Sequence, residues 1–552
     1  MKSTRYTLEM IREYTDKGYW DDLTWSDIYD QNAVKWPEKE AFVDTKERIT
    51  WAQLSLRYDR LALGFLEMGL KRDDMIICQV PNCVDTVALR IALEKAGLIY
   101  VFGAMNVGEV ELSSFIERTG AVGAVIKSKV GTVDYYEIWR ELRKKYSSLK
   151  YIFVIGEEVP RGTISVKEMS KQPLEEKYPL DFLKKSRIDP NDVSQIMATT
   201  GTTGLPKLVE FTANCTKTFG KHYVMRWNIS HDDSVFITSF LWTGPSMAGI
   251  YAAPQVGGKC YLMERFDPEE AMQIIERERP TYFTGFPVHL IQMARHPGLT
   301  KYKVDSFRFL SHGGAPFPQG ICEEVEQKFN ANLISYYGSL DSLLSMGVDM
   351  DAPKEVRYTS VGKIHPWGEV KLLDDNGIEV LQGEVGVVYC RGPFGSGGYF
   401  KDLEMTLKSW GELGINGWFN MEDLGRMDTE GNLMLVGRKK DMILRGGQNV
   451  YPAEIEGYLN AYHKILNVCV VPMPDPTLGE KMCAYIIPRQ SEVITLEEVV
   501  DYLLGMKMAK YKLPERIELV PEFPMLGDKV NKRALIEDIT AKLETALHSK
   551  SV

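Results

Sequence analysis

The sequence predicts an α/β protein, with a large N-terminal domain of α/β subdomains holding parallel-rich sheets and a small β-barrel, and a small α+β C-terminal domain. Three observations carry this reading. The chain has 552 residues, too many for one core, and the usual length prior gives roughly three or four folding units. From about residue 50 to 340, helical periods alternate with apolar strand runs, as in 61–70 followed by 75–80, the texture of parallel βα units. From about residue 362 the pattern turns to short strands, and from about 440 helices and strands mix again.

At the N-terminus, Met1-Lys2-Ser3-Thr4-Arg5 leads into alternating charge with no apolar h-region, so no secretory signal is read. The most apolar stretch, 86–105, carries Arg90, Glu94 and Lys95 near its centre, too costly for a bilayer. It reads as an amphipathic helix running through Gly97 into a buried strand at 98–102. Strands at 370–373 and 385–390, with Asp374-Asp375-Asn376-Gly377 as a turn, predict a small antiparallel sheet or barrel. Beyond Gly446-Gly447 a helix at 452–462, strands at 468–472 and 481–488, and a helix at 496–506 suffice for an independent unit of roughly one hundred residues. The ending Ser549-Lys550-Ser551-Val552 only approximates the peroxisomal tripeptide. No targeting is inferred, and the expectation is a cytoplasmic protein without membrane insertion.

Hydrophobic residues at 44% and charged residues at 26% are the balance of an ordinary globular chain. The net charge of -10 leaves no basic field for a polyphosphate backbone, which excludes nucleic acid as the expected partner. The eight cysteines form no Cys-x-x-Cys pair and have no histidines at zinc spacing, so they read as buried thiols of a reducing compartment.

The chemistry begins at Thr199-Thr200-Gly201-Thr202-Thr203-Gly204-Leu205-Pro206-Lys207, directly after the apolar strand residues Ile196-Met197-Ala198. Hydroxyls, small residues that expose backbone N–H groups and one lysine are what a phosphate-wrapping loop requires; a solvated Ser/Thr/Gly loop is the other reading. It is not a Walker A loop, which ends in Gly-Lys-Ser/Thr, whereas Pro206 precedes Lys207 and Leu208 follows.

This string resembles the phosphate loop of the adenylate-forming superfamily, which comprises acyl- and aryl-CoA ligases, adenylation domains and luciferases. His312-Gly313-Gly314-Ala315-Pro316 resembles its adenine-lining segment, and Tyr336-Tyr337-Gly338-Ser339-Leu340-Asp341 its Tyr-Gly-x-Thr-Glu motif. Gly417-Trp418-Phe419 with Asp423 resembles the ribose-aspartate motif, and Gly437-Arg438-Lys439-Lys440-Asp441 the ribose-binding arginine and hinge. Gly446-Gly447, Glu454-Ile455-Glu456 and Tyr511-Lys512-Leu513-Pro514 continue the pattern, and Lys529-Val530-Asn531-Lys532-Arg533-Ala534-Leu535 resembles the segment of the catalytic lysine.

The resemblance implies an acid:CoA ligase using ATP, Mg2+ and CoA, with a core at 1–438 and a mobile C-terminal domain at 439–552. The phosphate loop through Gly204 with Lys207, the adenine segment, Tyr336 to Ser339, Asp423 and Arg438 would hold ATP or AMP. A carboxylate attacking the α-phosphorus brings two anions together, so the site must supply positive charge and hold the groups in line. Lys529 is assigned that charge, Asp341 the magnesium through an oxygen contact, and Asp423 the ribose hydroxyls. Tyr337 would stack on adenine, although alone it reads as a core aromatic. Lys440 takes the hinge position or is a plain linker lysine, and Arg445, Gly446 and Gly447 line the thiol path or form a plain turn. Four departures stand out: Leu340 for a hydroxyl residue, Asp341 for glutamate, Met421-Glu422 for Thr-Gly, and Gly527-Asp528 before the lysine. No required charge is missing.

The segment 239–245 falls at the family's gate beside the acid, making Trp242 the gate or a structural tryptophan. Thr243, Met247, Ala248, His312, Gly313 and Gly338 complete the expected pocket. The run at 17–23 and Lys207-Leu208-Val209 resemble the aryl-acid branch, typified by dihydroxybenzoate adenylating enzymes. That branch's ring-hydroxyl contacts, Asn and Ser, align with Thr243 and Ala248. Their replacement implies a less hydroxylated aromatic or alicyclic acid, with medium-chain fatty acids behind. The short stretch after the lysine motif favours CoA as acceptor, with a separate carrier protein as runner-up. A luciferase-like oxygenase and a non-catalytic nucleotide binder are the competing readings, and a monomer or homodimer is expected.

Overall fold

Strand runs that are apolar at every position need cover on both faces, and two parallel-rich sheets supply it. The computed structural model describes residues 1–199, 206–317, 319–489, 492–526 and 529–548. A seven-stranded sheet runs Lys207–Thr212, Val193–Thr199, Ile99–Phe102, Met75–Gln79, Gly123–Lys127, Tyr151–Ile155, Ile164–Ser165. Its first pair is antiparallel and the rest are parallel. Met75–Gln79 and Ile99–Phe102 are buried at every residue, as expected of strands covered on both sides.

A nine-stranded sheet has a parallel body of Asn332–Gly338, Phe309–His312, Tyr282–Gly285, Ser234–Ile237, Lys259–Leu262 and Glu40–Val43. Antiparallel strands flank it, Ser345–Gly347 and Lys363–Ile364 on one side and Arg48–Thr50 on the other. One hydrophobic cluster joins the two sheets, from Ile76 and Tyr100 to Ile237 and Ile334. The helix Trp51–Glu67, of which the 61–70 period is the second half, starts at a capping box between Thr50 and Gln53.

The small β unit is a four-stranded antiparallel sheet of Glu369–Leu373, Gly386–Arg391, Phe419–Met427 and Leu433–Arg438. The smaller C-terminal domain is built on a five-stranded sheet with Gly479–Pro488 at its centre and Ile465–Asp475 along one edge, covered by Pro452–Asn460 and Leu496–Gly505 on one side and Lys532–His548 on the other. It meets the larger domain where Gly320 faces Ala461: a Cβ on Gly320 would lie 2.4 Å from that of Ala461.

The apolar stretch at 86–105 departs from its expected form. The helix Val84–Lys95 is buried nearly all round, with Arg90, Glu94 and Lys95 inside, and is not amphipathic. Arg90 sits among aromatic rings, Glu94 accepts from Ser26 N, and Lys95 bonds Asp30 and Asp59. Paired charges mimic an exposed face in sequence while lying in a core. No helix among the described residues is long and apolar enough to cross a membrane.

Burial also sets a pH response. His365 is 1% exposed, and burial, with Arg226 nearby, lowers its pKa to about 4. An unfolded imidazole titrates near ~6.5, so between these values the unfolded chain binds the extra proton and stability falls as pH falls. At pH 5 this costs about 2 kcal/mol. Asn at 365 can still accept from Trp367 N, as Nδ1 does at 3.1 Å, but cannot titrate. Between pH 7.5 and 5.0, wild type is expected to lose about 4–8 °C more in melting temperature than His365→Asn; parallel losses would show that this ring does not titrate there.

Candidate active site

The expected site residues come mainly from the carboxyl ends of the nine-stranded sheet, where α/β folds leave a crevice, and from the small antiparallel sheet. Thr199 ends its strand buried and Lys207 opens the antiparallel partner, with the two in register. Between them, Thr200, Gly201, Thr202, Thr203 and Gly204 lie outside the described residues.

Phe309–His312 runs into Gly313 and Gly314, with Ala315 and Pro316 exposed beyond. A Cβ on Gly313 would lie 2.7 Å from the Tyr336 ring, and one on Gly314 2.8 Å from Phe286, so both glycines serve close approach. Tyr336 is buried beneath this turn and donates to the Gly244 carbonyl at 2.6 Å, anchoring the start of the helix Gly244–Ala252. Its neighbour Tyr337 points the other way along the strand. It donates to Asp423 Oδ2 at 2.5 Å, and Arg438 Nε stands 3.3 Å from Asp423 Oδ1. Tyr337, Asp423 and Arg438 thus come together, the last two as register partners. Burial and the adjacent carboxylate raise the Tyr337 pKa, so the phenol keeps its proton.

After exposed Gly338 the chain turns tightly, Leu343 N donating to Ser339 O at 2.7 Å. Leu340 packs against the main core, and Asp341 emerges half-buried. Asp341 Oδ2 accepts from Lys207 Nζ at 2.8 Å, which joins the phosphate-loop lysine to the expected magnesium carboxylate. Tyr399 and Ser396, which no motif had flagged, also bond Asp341. Their sequence signal is the glycine-rich run Gly395-Ser396-Gly397-Gly398-Tyr399. The Met421-Glu422 departure is resolved by packing: Met421 turns inward, accepting from Ser342 Oγ through its sulfur, and Glu422 is exposed at φ +60°.

Thr243 caps the helix Gly244–Ala252 and Oγ1 donates to Phe240 O at 2.6 Å; Met247 and Ala248 are buried on that helix. His312 is buried against Phe317, and burial lowers its pKa to about 3, so the ring is neutral. Trp242, at φ +66°, is buried beside Tyr100, Arg90 and Tyr251, the last on the same helix as Met247 and Ala248.

Lys440 lies exposed in the short turn Lys439–Asp441 after the Arg438 strand. Arg445 Nε pairs with Glu515 at 2.6 Å. Gly446 and Gly447, at φ +56° and +83°, form a two-residue hairpin turn between Ile443–Arg445 and Gln448–Val450, a geometry that favours glycine at both positions. Lys529 opens a two-residue strand paired with Met525–Leu526, and its side chain lies outside the described part.

A magnesium ion is ordinarily held by one or two carboxylates plus substrate phosphates. Asp341 beside Lys207 fits that mode, and among the described residues no group of three or more acidic, histidine or cysteine side chains forms a separate metal cage.

A family model described as AMP-binding enzyme matches residues 29–400, and one described as AMP-binding enzyme C-terminal domain matches 454–527. The chain is 28% identical to the 2,3-dihydroxybenzoate-AMP ligase of Bacillus subtilis (strain 168), over 97% of each protein. It is also 28% identical to the medium-chain fatty-acid–CoA ligase of Escherichia coli (strain K12), over 96% of this chain and 93% of that one. Its fold is similar to that of the anthranilate CoA ligase AuaEII, crystallised with anthranoyl-AMP, at a TM-score of 0.84 and 20% identity, over 95% of this chain and 98% of that one. With the first model spanning more than half of its length, the chain belongs to the AMP-binding enzyme family.

Proposed function

We propose that this AMP-forming acid ligase joins an aromatic or alicyclic carboxylic acid to CoA in two steps. A carboxylate oxygen bonds the α-phosphorus of ATP as the bond to pyrophosphate breaks; the CoA thiol then attacks the acyl carbon, expelling AMP and losing its proton. The observation that carries the reading is the convergence of Lys207 on Asp341 in the same strand-end region that joins Tyr337, Asp423 and Arg438.

In this reading Asp423 and Arg438 meet the ribose, and Tyr337, held by Asp423, offers a ring to adenine. Lys207 and the segment from Thr199 to Gly204 take the phosphates. Magnesium, when bound at Asp341, neutralises polyphosphate charge. Lys529 supplies positive charge to the reacting groups, and Lys440 is the hinge between a core at 1–438 and a mobile domain at 439–552. Arg445 and the Gly446-Gly447 turn border the thiol path. His312, Gly313, Gly338, Thr243, Met247 and Ala248 frame the acid, and the neutral His312 adds no charge to its walls. The cysteines, all free thiols and seven of them buried, support a reducing, cytoplasmic setting.

The two 28% relatives act, by name, on a dihydroxybenzoate and on medium-chain fatty acids; the first also keeps carrier-protein loading as a second reading. Pyrophosphate release with ATP and Mg2+, across benzoates, alicyclic acids and fatty acids with and without CoA, is expected to be fastest with one ring acid and CoA together. Release indifferent to CoA would favour the carrier protein, and release without any acid dependence would sink the ligase.

A further inference from the structure

The run Gly395-Ser396-Gly397-Gly398-Tyr399 has no part in the roles above, yet it holds Asp341 at two points. Tyr399 Oη donates to Asp341 Oδ2 at 2.8 Å and stands 3.5 Å from Lys207 Nζ. Ser396 Oγ donates to the Asp341 carbonyl at 2.7 Å, and Ser396 N to the Ser342 carbonyl at 2.7 Å. Main chain and side chain of Asp341 are therefore fixed by the same loop.

The loop itself has little freedom. Buried Arg5 donates through Nε to the Ser396 carbonyl at 2.8 Å and through Nη2 to the Gly395 carbonyl at 3.0 Å, and its guanidinium lies 3.8 Å from the Trp410 ring centroid. Phe400 N donates to Leu208 O, and Gly397 N to Glu210 O, which tie the loop to the strand that begins at Lys207. Cβ atoms on Gly395 and Gly397 would lie 2.8 Å from Trp410 and 2.9 Å from Ser3, and Gly398 has φ +99°, so the glycines are what let the chain pass. Tyr399 is 1% exposed, so packing fixes where its hydroxyl sits, with Ser409 Oγ donating to it at 3.5 Å.

Lys207 and Asp341 attract each other, but the reaction needs the lysine on phosphate and the carboxylate on a cation. A carboxylate free to turn could close on the lysine with both oxygens. We propose that Tyr399 is a positioning residue for the metal–triphosphate end of the site: its hydroxyl holds Asp341 Oδ2, so that the carboxylate meets the metal–nucleotide complex in one orientation, with the Arg5-braced loop as its support. This rests on the adenylation reading of the same site.

Tyr399→Phe keeps the ring and removes only the hydroxyl. Mg2+ is titrated calorimetrically into protein saturated with α,β-methylene-ATP, and steady-state pyrophosphate release is followed in parallel with ATP. The variant is expected to bind Mg2+ about 10- to 150-fold more weakly, the range for a lost charge-assisted hydrogen bond. The KM for the acid should stay within about twofold and the melting temperature within about 2 °C. Ser396→Ala, which frees the Asp341 carbonyl alone, should move Mg2+ binding the same way by a smaller factor, and it carries the test if Tyr399→Phe does not fold. Unchanged Mg2+ binding in the variants beside clear binding by wild type overturns the role of Tyr399 and leaves the ligase reading standing. Wild type that binds no Mg2+ with the analogue overturns both.

Discussion

Lys529→Ala is expected to lower adenylate formation by about 10²- to 10³-fold or more while leaving thioester formation from supplied acyl adenylate within a few-fold of wild type. The first half-reaction presses a carboxylate against a polyphosphate, and removing one preorganised positive group at such a centre costs about 10²–10³ or more. The second joins a thiol to an activated carbonyl and has no such anion pair to bridge. Lys532, three residues on, is the control. It is paired with Glu456 at 3.0 Å and heads the helix Lys532–His548, so Lys532→Ala should lower stability and leave the ratio of the two half-reactions unchanged. Isotopic pyrophosphate exchange reads the first step, and product formation from synthetic acyl adenylate plus CoA reads the second. Equal loss of both in Lys529→Ala would remove the lysine from its assigned role.

How far the sequence could be read depended on whether the determinants were local. Parallel strands such as Met75–Gln79 and Ile99–Phe102 announce themselves by unbroken apolar runs, and the two glycines at 446 and 447 by the hairpin turn they form. The meeting of Tyr337, Asp423 and Arg438 could be anticipated because all three sit in recognisable strings, although Tyr336 and Tyr337, adjacent in one string, face opposite ways: one is an anchor under the sheet and the other a partner of Asp423. The Tyr399 contact with Asp341 spans 58 residues and follows no spacing rule; only the folded loop brings it about. The surroundings of Trp242 were hidden for a similar reason. Its positive φ and its aromatic neighbours on other segments turn it inward, and neither is visible in the chain order. The charged residues of Val84–Lys95 misled because a charge in sequence is ordinarily a sign of exposure, and their partners lie on distant helices and strands.

Those buried charges give the largest stability effect expected. Arg90 is 2% exposed, with Trp25, Trp242 and Tyr251 at 5.2, 5.1 and 5.6 Å from its guanidinium carbon. With the Gln195 amide turned to place its oxygen on the guanidinium, Nη2 and Nε donate to it at 2.7 and 3.1 Å. The residue thus ties Gln195 of the seven-stranded sheet to Tyr251 of a helix on the nine-stranded sheet. One turn away, Glu94 accepts from Ser26 N at 2.8 Å, and Arg90 is the cation that lowers the cost of burying its charge. Arg90→Ala removes that cation, strands Glu94 in the core and opens a void among three rings, a loss of about 3–5 kcal/mol. For a unit of this size the first unfolding transition should fall by on the order of 10 °C. Arg90→Met with Glu94→Gln keeps the volume and removes both charges, so it should recover a large part of the loss. Thermal melts of the double variant beside Arg90→Met alone, which keeps the volume and leaves Glu94 charged, decide between charge and shape: equal recovery in both would assign the loss to the void, and recovery in the double variant alone to the stranded carboxylate.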